Sequence, residues 1–177
     1  ADTSRKILTA DYSQIELRVL AHFAEESPLI KSFQNLEDIH SRTASEVYGV
    51  DLKDVTPQMR RMAKTANFAV IYGVTAFGLS QQSDMSVPEA KEFIDIYFAR
   101  YPMIRKFIDD TIARARSEGY VTTLFGRRRY FPEINSSNVS LRQFAERTAV
   151  NTIIQGTAAD MIKIAMIEID RKMEGMK

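Results

Sequence analysis

The chain has 177 residues, 45% of them hydrophobic and 27% charged, with 7 glycines and 5 prolines. That composition suits one folded domain or two small lobes and excludes collagen-like, linker-like and wholly disordered chains. The absence of cysteine and the presence of only 2 histidines exclude disulfides, thiolate nucleophiles, zinc–thiolate centres and histidine-built metal cages.

Ile7 to Tyr12 reads as a short strand with Asp11 near its end. From Gln14 to Glu25 apolar residues recur at Ile15, Leu17, Val19, Leu20 and Phe23, a helical spacing. Ser27-Pro28 opens a second helix. Thr56-Pro57 sets a capping hydroxyl before a first-turn proline, predicting a helix to about Tyr72 with Gly73 as its stop. Ser86-Val87-Pro88-Glu89 fits a capping box and predicts a helix to about Arg100. Pro102 breaks or restarts that helix, and Gly119 ends the next one. Tyr120–Phe125 and Arg128–Phe131 flank Gly126 as a β-hairpin. From about Ser140 to Met173 the pattern is helical again, with Gly156 as a place for a bend. The predicted class is α+β, mostly helix with a few strands.

The net charge of +1 hides a strong asymmetry. Seven acids and three bases lie between Glu25 and Asp54, whereas Thr56–Tyr72 holds Arg60, Arg61 and Lys64 and no acid. Between Tyr120 and Arg147 five arginines oppose Glu133 and Glu146. Two basic regions therefore sit inside a near-neutral chain. No stretch near Ala1–Ser13 has the apolar core of a signal peptide, and the charge-free run Thr65–Ser83 is too polar to span a bilayer. A cytoplasmic location and no membrane partner are expected.

On a helical wheel Met59, Met62, Ala63, Ala66, Ala69 and Val70 share one side of the helix after Thr56. Arg60, Arg61, Lys64, Phe68 and Tyr72 share the other, where an aromatic ring gains nothing from the core. Flat rings beside cations suit a nucleotide, with a surface for the base and charges for the phosphates; spacing alone favours a second packing surface with solvated basic residues. In the last helix Arg147, Asn151 and Gln155 fall at i, i+4 and i+8 on an otherwise apolar surface, a stripe suited to base edges or backbone, or simply to solvent. Asp11 and Glu16 are oxygen donors of the kind a hard cation takes.

Asp11-Tyr12-Ser13-Gln14-Ile15-Glu16-Leu17-Arg18 resembles motif A of the family A DNA polymerases, the bacterial DNA polymerase I type. Arg60-Arg61-Met62-Ala63-Lys64-Thr65-Ala66-Asn67-Phe68, continued by Ile71-Tyr72-Gly73, resembles motif B. Asp38-Ile39-His40, Gly126-Arg127-Arg128 and Gln155-Gly156-Thr157-Ala158-Ala159-Asp160 fit the same family in the same order. The resemblance covers nearly the whole chain. It implies a mostly helical fingers subdomain plus part of an antiparallel-sheet palm: palm with motif A over residues 1–34, fingers with motif B over 35–135, and a palm-side helix over 136–177.

The resemblance also implies roles. Asp11 and the Tyr12 carbonyl would bind Mg²⁺, and Asp11 and Lys64 would be catalytic. Gln14, Glu16, His40, Arg60, Lys64, Phe68 and Tyr72 would bind the nucleotide. Glu16 would exclude a ribose 2′-hydroxyl, Phe68 would pack on the sugar and base, and Tyr72 would sit at the templating base. Arg147, Asn151 and Gln155 would contact the DNA primer–template. The implied reaction is dNTP addition to a primer 3′-hydroxyl between two metals, by a monomer acting in DNA replication and repair. Motif C, a Val-His-Asp-Glu-like hairpin that brings the family's second metal-binding aspartate, does not occur before Lys177. The expectation is thus a fragment, inactive alone. Alternatives are a fragment of a single-subunit RNA polymerase, against which Glu16 argues, and a non-catalytic nucleic-acid-binding module.

Overall fold

A computed structural model of the chain describes residues 9–174. The helices are α1 (Ile15–Ala24), α2 (Ser27–Gln34), α3 (Ile39–Tyr48), α4 (Pro57–Ile71), α5 (Ala76–Gln81), α6 (Val87–Arg100) and α7 (Pro102–Glu118). Strands β1 (Tyr120–Thr122) and β2 (Arg128–Tyr130) follow, and then α8 (Val139–Glu174). Short 3₁₀ turns at Leu52–Asp54 and Pro132–Asn135 join α3 to α4 and β2 to α8. The class is α+β.

The helix boundaries obey local chemistry. The Thr56 hydroxyl accepts from Met59 N–H and starts α4, with Pro57 at the first helical position. Ser86 and Glu89 exchange hydrogen bonds in a capping box that opens α6. Gly119, at φ 78°, closes α7. Two helices arise where the sequence pattern offered no run of apolar periodicity. Asp38 caps α3 by accepting from Ser41 N–H, and Thr75 caps the short α5 by accepting from Gly78 N–H. Of the expected first strand, Ile7 and Leu8 lie outside the described residues, and Thr9–Tyr12 form no regular strand. Among the described residues the only sheet is the β1–β2 hairpin, paired Tyr120 to Tyr130, Val121 to Arg129 and Thr122 to Arg128. A strand without a neighbour has no ladder to hold it.

Two apolar clusters organise the molecule. The larger joins α1 through α7 with Val150 and Ile154 of α8, and includes Leu17, Leu20, Ile39, Ala63, Ala66, Ile71 and Ile104. The smaller seats the hairpin on α7 and α8 through Ala115, Val121, Phe131, Ala145, Ala149 and Ile153. Phe23 and Phe107 pack against both clusters, their rings stacked at 5.9 Å. The last helix runs unbroken through Gly156 for 36 residues and is the spine on which α1, α7 and the hairpin lie.

The start of α7 is capped by a distant residue. Tyr101 before it gives no side-chain bond, and the buried Glu26 carboxylate accepts from Met103 N–H at 2.9 Å and Ile104 N–H at 3.3 Å. Burial raises the Glu26 pKa, while the two backbone donors pull the other way. Glu26→Ala leaves both amides without an acceptor and is expected to lower stability by about 1–3 kcal/mol in denaturant unfolding. Glu26→Gln keeps an acceptor and sheds the desolvated charge, so it should stay within about 1 kcal/mol of the native chain.

Candidate nucleotide and nucleic-acid site

Helix α4 buries its small-residue face. Met62, Ala63, Ala66, Ala69 and Val70 are all buried, and Arg60, Arg61, Lys64 and Tyr72 are exposed, with Phe68 half-buried between them. The wheel therefore holds, with one difference. Asn67 and Ile71 lie in the same angular range as Arg60 and Lys64 yet are 0% and 1% exposed. Helix α3 packs along that edge of α4 and covers Asn67 through His40 and Thr43, while Ile71 joins the larger apolar cluster.

The α3–α4 seam carries charge and polarity together. Arg60 donates to Asp38 through Nε at 2.6 Å and Nη2 at 3.3 Å, while Asp38 also accepts from the Ser41 hydroxyl at 2.6 Å. Partial burial pushes the Asp38 carboxyl up, but the Arg60 and Ser41 bonds outweigh it and hold the pKa down at about 2. His40 is buried beside this pair, its ring 6.1 Å from that of Phe68. Burial lowers its pKa; Asp38 raises it and the Arg60 and Lys64 charges lower it further.

The start of α1 meets the C-terminal end of α4 through Glu16 and Tyr72. Gln14 enters α1 in the left-handed region, φ 55°, which is uncommon for a residue with a Cβ. Arg18 steadies the turn by donating to the Ser13 carbonyl at 3.0 Å while its guanidinium lies 4.4 Å from the Phe33 ring centre. The half-buried Glu16 is engaged by α4: Tyr72 Oη donates to Glu16 Oε2 at 3.3 Å. Burial raises the Tyr72 pKa, Glu16 adds to this, and the neighbouring Gln155 side chain opposes it. Residues of α1, α4 and α8 thus converge on one phenol.

Asp11 and Tyr12 are exposed and line a groove of about 570 Å³ with Arg18, Leu124, Thr157 and Met161. The Asp11 carboxylate and the Tyr12 carbonyl are the oxygen donors a hard cation takes, and Mg²⁺ needs only one or two protein carboxylates. Among the described residues no cluster of three acidic or histidine groups surrounds them.

On α8, Arg147 and Asn151 are half-buried and Gln155 is exposed. The Arg147 stem crosses Gly73, where a Cβ would stand 2.9 Å from its Cγ. Gly73 also has φ 61°, so glycine is required there twice over. Asn151 Oδ1 is buried without a hydrogen-bond partner among the described residues. The basic hairpin is tied to α8: Arg127 donates to Asp160 Oδ1 at 2.9 Å and to the Gly156 carbonyl at 3.0 Å, and Thr123 donates to Asp160 Oδ2 at 2.8 Å. Arg129 reaches the Thr152 hydroxyl at 3.2 Å, and Arg128 lies over the Tyr120 ring at 4.7 Å. The clasp residues Thr123 and Asp160 and the seam residues Asn67 and Thr43 escape a reading by spacing. A polar residue in the Ala-rich run of α4 is the one signal that marks Asn67.

A family model described as DNA polymerase family A matches residues 1–177. The chain belongs to DNA polymerase family A. It is 51% identical over 168 residues to DNA polymerase I of Caldicellulosiruptor bescii, covering 95% of this chain and 20% of that protein. It is 53% identical to DNA polymerase I of Streptococcus pneumoniae, covering 94% and 19%. The chain thus spans about a fifth of the length of these family members. It also superposes, with TM-score 0.88 and 45% identity, on the polymerase domain of Pol1 from M. smegmatis in complex with DNA primer–template and dNTP, covering 93% of this chain and 29% of that one.

Gly156 lets the hairpin approach α8. A Cβ there would stand 2.7 Å from Thr123 Cγ2 and 3.1 Å from Arg127 Nη2. Gly156→Ala should therefore lower stability by about 1–3 kcal/mol, despite the better helix propensity of alanine. Thr123→Ser, which removes the methyl and keeps the hydroxyl bond to Asp160, should restore part of that loss. A double-mutant cycle of thermal unfolding reads the coupling.

Proposed function

We propose that this chain is the nucleotide-selecting part of a DNA-directed DNA polymerase, with DNA primer–template and dNTPs as its partners. Residues 1–34 and 136–177 are assigned to the palm side and 35–135 to the fingers. The observation that carries the reading is the bond from Tyr72 Oη to Glu16 Oε2, 3.3 Å long. It unites two motifs 56 residues apart at one end of a helix whose exposed face bears Arg60, Lys64 and Phe68. A triphosphate, a sugar and a base pair need three surfaces side by side, and Arg60 with Lys64, Phe68 and Tyr72 would supply them in that order along α4.

The triphosphate lies along Arg60, Lys64 and His40. Arg60 is half-exposed and paired with Asp38; such a surface pair is worth only about 0–1 kcal/mol, so phosphate oxygens can compete for the guanidinium. Lys64 neutralises charge that develops on the pyrophosphate and can supply its proton. Phe68 packs on the sugar, and Glu16, with Gln14 before it, closes the space below the 2′-position. Tyr72 stands at the templating base. Arg147, Asn151 and Gln155 touch the primer–template, where minor-groove acceptors lie at similar places in every correct pair and so report shape, not sequence. Asp11 and the Tyr12 carbonyl would hold Mg²⁺, which when bound supplies charge to align and activate oxygens. No helix among the described residues is long and apolar enough to cross a membrane; the cytoplasm and a monomeric state complete the proposal.

In the polymerase that carries this chain, Lys64→Ala should lower kcat/KM for dNTPs by roughly 10- to 100-fold, the loss of a hydrogen bond to a charged group. Asp11→Ala should abolish extension and spare primer–template binding. Phe68→Tyr should increase dideoxynucleotide incorporation relative to dNTPs, because a phenol can replace the 3′-hydroxyl's bond to the triphosphate. Unchanged dNTP kinetics in Lys64→Ala would end the nucleotide reading.

A further inference from the structure

Asn67 is fully buried in α4, beyond the reach of any ligand on the exposed face, yet it is the polar centre of the α3–α4 seam. Its Nδ2 lies 3.2 Å from His40 Nδ1 and 3.2 Å from Thr43 Oγ1, and its Oδ1 accepts from the Thr43 hydroxyl at 3.3 Å. The Thr43 hydroxyl can serve either amide atom, and it is Nδ2, not Oδ1, that lies beside the imidazole. An N–H facing Nδ1 requires a lone pair there, so the ring proton resides on Nε2. Nε2 is on the side of the ring away from Asn67.

We propose that Asn67 is a positioning residue for the triphosphate end of the site: by donating to His40 Nδ1 it fixes the tautomer in which Nε2–H is the donor offered to a phosphate oxygen. The inference rests on the nucleotide reading above. The reversed amide would place Oδ1 against Nδ1, draw the proton there, and leave Nε2 with a lone pair that repels phosphate. Imidazolium is disfavoured as well, since its Nδ1–H would meet the Asn67 N–H head-on. The charged groups around the ring are Asp38, Arg60 and Lys64. Their combined effect with burial keeps the ring neutral, in keeping with this arrangement. Asn67 therefore acts through His40 and touches no substrate.

Nitrogen-15 NMR of histidine-labelled 177-residue chain at neutral pH tests this directly. It contains 2 histidines, and the exposed His22 is separated by a His22→Asn variant. His40 should show a protonated Nε2 and an unprotonated Nδ1. Asn67→Asp presents only an acceptor and should move the proton to Nδ1. Should that variant fail to fold, Thr43→Val, which releases the amide, should give a mixed tautomer signal. A native spectrum with the proton on Nδ1, or an imidazolium, overturns the proposal. In the polymerase, Asn67→Asp should raise the dNTP KM roughly tenfold, about the loss of one charge-assisted hydrogen bond, and should add little in a His40→Gln background. An equal loss in both backgrounds means that Asn67 acts elsewhere and overturns the proposal. If His40→Gln alone leaves the dNTP KM unchanged, the nucleotide role of His40 fails, while the spectra still decide the Asn67–His40 bond.

Discussion

The burial of one face of α4 is the constraint on which the site depends. Ala63, Ala66 and Ala69 let neighbouring helices come close, and each turn of α4 is then locked in rotation by what it buries. Arg60, Lys64, Phe68 and Tyr72 face outward in a row because the alanines face inward. A rotation of one residue, about 100°, would bury a cation and expose the core. The cost of an unpaired buried charge makes that alternative inaccessible.

The long α8 is the second organising element. It receives the hairpin at Gly156, Thr157 and Asp160, and it meets α4 at Gly73 through Arg147. Glycine at both approaches removes a Cβ where a side chain of the neighbouring segment must pass. The Arg127–Asp160 pair shows how the basic hairpin is employed. Its guanidinium satisfies a carboxylate with little exposure and a helix carbonyl, so it contributes to docking.

Polar groups in the seams link folding to chemistry. The Asp38 carboxylate caps α3 and at the same time holds Arg60, so the start of one helix sets the position of a cation on the next. Glu26 caps α7 from the turn after α1. Asn67 and Thr43 join α3 to α4 without charge. In the α3–α4 seam a residue that satisfies backbone or neighbour also fixes where a candidate site side chain stands.

Much of this was legible in the sequence because it is local. Thr56-Pro57, Ser86 with Glu89, Pro102 and Gly119 mark helix ends by hydrogen bonds within a few residues, and the alanine stripe marks the buried face of α4 by period alone. Motifs A and B are contiguous strings, so the family could be named from them. The helices α3 and α5 were not legible, since their caps, Asp38 and Thr75, precede segments with little apolar periodicity. Nor was the commitment of Arg127 to Asp160, the cover that α3 lays over Asn67, or the meeting of Glu16 with Tyr72. Those contacts join residues 24 to 56 positions apart, and no local pattern encodes such a separation. The sequence by itself determined which side chains α4 turns outward, through the 3.6-residue period of the helix. Only the tertiary structure decided which partners they meet, because packing of α1, α3 and α8 around α4 brings distant groups within hydrogen-bond reach.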